Sequence, residues 1–176
     1  MDIIFDIDGT LADAKHRVHL INDPANWVVV NGKPPRPDWG GFLDNEMVAQ
    51  DIPIPQTWAI MRSLLINHAR ICFITGRPDS QRDMTWSWLT EMSCPIRYAL
   101  SGYLNSYDYG RDQPKHRLLM RTSGDHRPSD VVKGELLQEA RSLGYVPTMA
   151  FEDRIQDTAM WRREGLLYLQ VAEGNY

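Results

Sequence analysis

Cysteine is scarce: the chain holds two, Cys72 and Cys94, among 176 residues. They form no metal-type spacing, and His16, His19, His68 and His116 show no pairing that suggests metal ligation. Cys72 lies within an apolar run and reads as a small core residue rather than a reactive thiol. Positive charge is also short, with 19 Lys and Arg against 23 Asp and Glu and a net charge of −4. That argues against a surface that coats nucleic acid broadly. It leaves room for a partner gripped at one end or one phosphate. The opening residues do not read as a signal-type leader, and no apolar run reaches membrane-spanning length. The simplest expectation is a cytoplasmic protein of a bacterium or a phage-infected cell. Repeats and low-complexity tracts are absent. What remains is ordinary globular composition, 43% hydrophobic, in a chain the length of one domain with a real core.

The apolar segments then alternate in kind. Residues 2–7, 69–75, 96–100, 118–121, 148–153 and 166–171 read as short buried strands. Residues 12–21, 55–68, about 80–92, 129–143 and 154–164 read as helices. Trp58, Met61, Leu64 and Leu65 share one side of the second of these. Asp79 or Ser80 is expected to cap the third and Ser129 the fourth, which Gly144 ends. Residues 22–51 and 101–116 are rich in Pro, Gly, Asn and aromatics and read as insertions within one domain spanning 1–176. Alternating strands and helices predict an α/β fold, a mostly parallel sheet with helices on both faces. Sites in such sheets lie beyond the carboxyl ends of the strands. Those ends carry Asp6 and Asp8, then Thr75-Gly76-Arg77, then Glu152-Asp153.

Carboxylates gathered at one place repel each other and stay ionised together only if a cation offsets them. Oxygen donors without His or Cys select Mg²⁺ over zinc. Mg²⁺ keeps waters and favours a substrate phosphate. Thr75 can donate to a phosphate oxygen, and Lys133, on a nearby helix, can neutralise charge that develops there. Gly9 permits a sharp turn beside the phosphate. One aspartate can attack phosphorus. The second, two residues on, points the same way if the backbone stays extended and can protonate the leaving oxygen.

The run Asp6-Ile7-Asp8-Gly9-Thr10 resembles the DxDGT signature of the haloacid dehalogenase (HAD) phosphatase superfamily. Thr75, Lys133, the acidic pair Glu152-Asp153 and Asp157 follow in that family's order. A narrower resemblance is to the 3′-phosphatase domain of phage T4-type polynucleotide kinase/phosphatases. It rests on DIDGTLA (6–12), TGR (75–77), DVVK (130–133) and EDR…MWRREG…QVAEGNY (152–176). The resemblance implies a HAD-like Rossmannoid three-layer fold with a small cap or none. It implies Asp6 as nucleophile and Asp8 as general acid and base. Mg²⁺ would be held by Asp6, Asp8 through its carbonyl, and Asp153, with Glu152 beside it. Thr75 and Lys133 would contact the phosphate, and Gly9, Gly76, Arg17 and Arg77 would lie near the substrate. The implied substrate is a 3′-phosphorylated DNA or RNA end. No GxxxxGK[ST] phosphate loop occurs, so kinase and ligase activities are expected from separate proteins. The family acid before Asp130 is Ser129 here, which puts the charge network around Lys133, including Asp130, in question.

Other readings stand beside these. Arg17 is a helix-surface charge or a substrate contact. Arg77 pairs with a surface acid or binds phosphate. Asp157 is a plain helix acid or a partner that holds metal waters. Arg121, His126 and Arg127 form a basic patch before a helix start, suited to a phosphate, or an ordinary surface loop. Tyr103, Tyr107, Tyr109 and Arg111 stack a base or pack on their own domain. The tryptophans Trp58, Trp86, Trp88 and Trp161 read as packing. A HAD phosphatase acting on a nucleoside monophosphate, and a catalytically silent binding domain, are the rival functions.

Overall fold

The computed structural model describes residues 1–91, 107–108 and 113–174. The expected strand at 96–100 lies outside the described residues, as do Cys94, Tyr103, Tyr109 and Arg111.

The first strand, β1 (Asp2–Phe5), is buried along its whole length. It runs between β4 (Arg70–Pro78) and β8 (Pro147–Arg154), parallel to both. Outside them lie β7 (Arg117–Arg121) and β9 (Leu167–Gly174), giving the order β7-β4-β1-β8-β9 with every pair parallel. A strand covered on both faces must be apolar on both, which explains the unbroken run Ile3-Ile4-Phe5. Its side chains alternate between faces. Ile3, Phe5 and Ile7 join a cluster with Trp58, Met61, Leu65, Trp88 and Leu89, from α4 (Pro55–Ile66) and α5 (Arg82–Glu91). Ile4 joins the opposite cluster, with Leu137, Ala140 and Trp161 from α6 (Ser129–Ser142) and α7 (Ile155–Arg163). By the same alternation Asp6 falls on the α6 side. The three-layer α/β architecture is therefore as expected.

Several boundaries moved for physical reasons. Residues Ala12–Asp13 (β2) pair with Ile52–Pro53 (β3), so the first helix, α1, begins at Lys15 and ends at Asn22. The expected caps act elsewhere. Asp79 starts a 3₁₀ turn and its carboxylate accepts from the Ser123 amide (2.9 Å) and hydroxyl (2.6 Å). Pro128, not Ser129, holds the N-cap of α6, because the Ser129 hydroxyl is used inside the site. Near the second insertion, β5 (Tyr107–Asp108) pairs with β6 (Gln113–Pro114), antiparallel.

The first insertion forms a small cap with two single helical turns, α2 (Trp39–Phe42) and α3 (Asn45–Val48). Before them, Val28 and Arg36 bridge antiparallel around a turn in which Asn31 and Gly32 take φ of 54° and 68°. Asn-Gly suits such a turn because both residues tolerate the left-handed region. Phe42 packs against Ala14 and Ile21, at the start and within α1, in a small apolar cluster that joins the cap to that helix. Among the described residues no helix is long and apolar enough to cross a membrane.

At the amino end of the sheet, Asp2 accepts a forked pair of hydrogen bonds from Arg70 and one from the Val146 amide (2.7 Å). Burial raises the Asp2 carboxyl, but the Arg70 and Val146 hydrogen bonds outweigh it and hold it below its ordinary 3.8. The charged form is thus the one that stabilises the fold. Asp2→Asn should lower stability by about 2 kcal/mol, a drop in Tm of roughly 4–8 °C for this size. The advantage of the wild type should be complete above pH 3.8 and vanish as pH falls through the still lower folded-state value. Thermal melts of both proteins between pH 3 and 7 check this.

Candidate active site

The strand β1 ends at Phe5, and Asp6 continues it by donating its amide to Phe151 O (3.0 Å). Its carboxylate is buried and lies 2.9 Å from Lys133 Nζ. Lys133, also buried, reaches Glu152 (2.7 Å) and Asp157 (2.9 Å) as well. The ammonium donates a hydrogen bond to Glu152 and forms ion pairs with the Asp6 and Asp157 carboxylates. Burial alone would lower the Lys133 pKa, but Asp6, Glu152 and Asp157 together raise it well above the ordinary 10.5. Burial and the neighbouring Glu152 push the Asp6 carboxyl upward, against the pull of Lys133. The Ser129 hydroxyl donates to Asp157 Oδ2 (2.9 Å). Asp157 thereby completes the network that the serine left in question. Asp130 does not enter it; its carboxylate turns outward to Arg163 (3.5 Å).

Asp8 keeps different company from Asp6. After Asp6 the chain folds back: Ile7 O accepts from the amides of Thr10, Leu11 and Ala12, and Gly9 takes φ of 78°. The backbone does not stay extended, so the two carboxylates have separate neighbours. Asp8 accepts from Arg17 (2.5 Å) and twice from Arg77 (3.0 and 2.7 Å). Burial raises its carboxyl, but the guanidiniums of Arg77 and Arg17 outweigh that and hold it well below the ordinary carboxylate range. Both arginines are fully buried, so neither is a surface charge.

Asp51, at the end of the cap, closes this group. It takes a forked pair from Arg17 (2.8 and 2.6 Å) and one bond from Arg77 (2.6 Å). Its carbonyl accepts from Trp88 Nε1 (2.9 Å). Arg17 also donates to Phe42 O (2.8 Å). Two carboxylates and two guanidiniums thus form a balanced quartet that ties the cap to Asp8. Nothing in the sequence singled out Asp51: it lies in an irregular segment, without a motif, and meets Arg17 from 34 positions along the chain.

The acids around Lys133 are not balanced. Asp6, Glu152 and Asp153 each place an oxygen within 4.8 Å of the others. With Asp157 they set four carboxylates against a single ammonium. A divalent cation with a preference for hard oxygen ligands fits that excess and that donor set. Both Glu152 oxygens already accept hydrogen bonds, one from Lys133 and Trp161 Nε1 (3.1 Å), the other from the Asp153 and Arg154 amides (3.2 and 3.4 Å). Trp161, expected as packing, is therefore also a donor that orients Glu152. Gly174 lies against Asp153: a Cβ there would overlap the Asp153 carboxylate.

Thr75 is buried, and its hydroxyl oxygen accepts from the Arg77 amide (3.2 Å), leaving its proton to donate. Asp6, Asp8, Gly76, Ser129 and Lys133 line a cavity of about 820 Å³, within the range of ligand sites. Arg121 lines it too; its guanidinium donates to the carbonyls of Gly76, Asp125 and Arg127 and pairs with no carboxylate among the described residues. Arg127 is exposed and already held by Asp125 (2.7 Å) and Glu135 (2.7 Å). The basic patch thus contributes Arg121 to the cavity, while the charge of Arg127 is compensated.

A parallel α/β sheet with an aspartate and an acidic pair at its strand ends, and a lysine reaching them from a flanking helix, defines a HAD-type phosphatase. The model for the polynucleotide kinase PNKP phosphatase domain matches residues 40–176, and the chain belongs to that family. Its fold resembles a chain of the Pnkp1/Rnl/Hen1 RNA repair complex, with a TM-score of 0.62 and 24% identity over 99% of this chain and 43% of that one. The chain therefore spans less than half the length of that relative. The class C acid phosphatase from Bacillus anthracis with tungstate bound gives a TM-score of 0.58 at 16% identity, covering 99% and 67%. A hydrolase from Streptococcus pneumoniae TIGR4 gives 0.53 at 14%, covering 98% and 93%.

Two substitutions test the geometry. Asp51→Asn leaves two buried guanidiniums with one carboxylate and should destabilise the fold by about 3 kcal/mol, lowering Tm by roughly 6–12 °C. Denaturant melts monitored by tryptophan fluorescence measure it. Gly174→Ala should displace Asp153 and weaken the affinity of the acidic cluster for a divalent cation by about 10–100-fold, read by calorimetric titration with Mg²⁺.

Proposed function

We propose that this protein is a Mg²⁺-dependent 3′-phosphatase of DNA or RNA ends, working through an aspartyl-phosphate on Asp6. The supporting observation is the buried Asp6–Lys133 centre in a chain of the polynucleotide kinase phosphatase family. Asp6 attacks phosphorus, and the 3′ oxygen leaves with a proton. Lys133, 2.9 Å from Asp6, offsets negative charge on the phosphate as it transfers. Thr75 donates its free proton to a phosphate oxygen. Mg²⁺, when bound by Asp6, Asp153 and the Asp8 carbonyl, with Glu152 at the edge, would neutralise charge on the phosphate. Glu152 chiefly holds Lys133 in place.

Asp8 serves as acid and then as base. In its two-arginine clamp it is ionised, which suits drawing a proton from water in the second half-reaction. Asp8 lines the cavity while Arg17 and Arg77 lie buried behind it. The negative charge of an entering phosphate raises the Asp8 pKa, so that the carboxyl can hold the proton that the leaving oxygen needs. The enzyme would act in the cytoplasm of a bacterial or phage-infected cell, with 5′ phosphorylation and sealing left to other proteins. The rival substrate, a nucleoside monophosphate, is favoured by the −4 net charge and by a cavity of one-ligand size.

Phosphate release with Mg²⁺ should be measured on a 3′-phosphorylated oligonucleotide, a 3′-nucleoside monophosphate and a 5′-nucleoside monophosphate. The oligonucleotide should turn over fastest; release from mononucleotides alone would replace the end-repair reading with the rival. Asp6→Asn should reduce kcat at least 10³-fold, since without the carboxylate there is no nucleophile. Retained activity in that variant would remove Asp6 from its role.

A further inference from the structure

We propose that the cap wall formed by residues 28–43 binds the terminal nucleotide of a polynucleotide, with its base on Trp39 and the adjoining phosphodiester on Arg36. This rests on the phosphatase reading above and names what lies next to the phosphate that is removed.

The cavity has two unlike walls above the carboxylates. The cap side contributes Val28, Val30, Pro37, Trp39 and Phe42, with Arg36 at its lip. The opposite side contributes Arg121, His126, Arg127 and Arg154. Trp39 is 43% exposed, a large aromatic surface left open at the edge of a catalytic cavity. Phe42 holds it edge to face, with centroids 5.6 Å apart, so the indole is braced rather than loose. Phe42 in turn is packed under Arg17, whose guanidinium lies 4.2 Å from the ring centroid and bonds both Asp8 and the Phe42 carbonyl. The aromatic wall is thereby held in register with Asp8 by a chain of three contacts.

Charge points the same way. Asp38 and Asp125, the other acids lining the cavity, are already engaged: Asp38 accepts from the Gly41 amide (2.9 Å), and Asp125 is paired with Arg127. Arg36 is exposed and has no ion-pair partner among the described residues, and neither does Arg121. The lips of the cavity thus carry cations available to an anion, while the wall between is apolar and aromatic. A flat apolar body flanked by phosphates matches this arrangement. Base–aromatic stacking tolerates any base, so the subsite would not read sequence.

The test compares wild type, Trp39→Ala, Trp39→Phe and Arg36→Ala, using a 3′-phosphorylated tetranucleotide and glycerol phosphate, an ester with no base. Tm is recorded for each variant. Trp39→Ala should reduce the ratio of kcat/KM for the tetranucleotide to that for glycerol phosphate by about tenfold, through KM. Trp39→Phe should restore most of it. Arg36→Ala should flatten the salt dependence of tetranucleotide turnover. An unchanged ratio in Trp39→Ala overturns the subsite, as does an equal fall on both substrates, which would mark Trp39 as structural. If wild type turns over glycerol phosphate but not the tetranucleotide, the end-repair reading fails and the subsite with it. Those results are distinct, because only the last is seen in the unmutated enzyme.

Discussion

The site depends on one buried ammonium among carboxylates. Lys133 is removed from water, which by itself strongly disfavours its charge, and it stays charged because Asp6, Glu152 and Asp157 surround it. Each of those acids comes from a different element: the end of β1, the end of β8 and the first turn of α7. The lysine therefore fixes where three pieces of the fold meet. It also leaves the cluster short of positive charge, and that shortage makes a divalent cation and a phosphate welcome together. A substitution of one acid disturbs the balance of the rest, so the centre behaves as a unit.

A second, balanced group stands beside it. Arg17 and Arg77 are shared between Asp8 and Asp51, so the same guanidiniums orient the Asp8 carboxylate and fasten the cap. The two groups differ in sign by design of their neighbours: one is neutral and closed, the other negative and open to a cation. The contrast pushes the Asp6 and Asp8 carboxyls in opposite directions although they are two residues apart. Sharp turning at Gly9 makes that possible, because an extended chain would leave both acids in one environment.

The cap is small yet firmly placed. The apolar cluster it shares with α1 is slight, and charge holds it too: Asp51 against the two arginines, Arg17 against the Phe42 ring. Such a cap has little freedom to be replaced piecemeal, since its anchor is the arginine pair that also holds Asp8. It also converts an open strand-end site into a cavity with one aromatic and one basic wall, which is how a common phosphatase centre acquires a preference for the body attached to the phosphate.

Much was legible before any coordinates. Short apolar runs ending in Asp6, Thr75 and Glu152 announce a parallel sheet, because a strand covered on both faces is apolar through its middle and sites gather at the carboxyl ends of such strands. Residues fixed to those strand ends were found from the sequence. Those whose meaning depends on a partner far along the chain were not. Asp51 shows no pattern until it faces Arg17 and Arg77, and Ser129 reads as a helix cap until Asp157 is seen beside it. Arg127 reads as a phosphate ligand until Asp125 and Glu135 are seen to hold it. Periodicity and motif order, set by local backbone geometry, determined the strands, the helices and the acids at their ends. Tertiary structure alone decided which charges are spent on one another and which remain for a ligand, because compensation is a matter of distance in space.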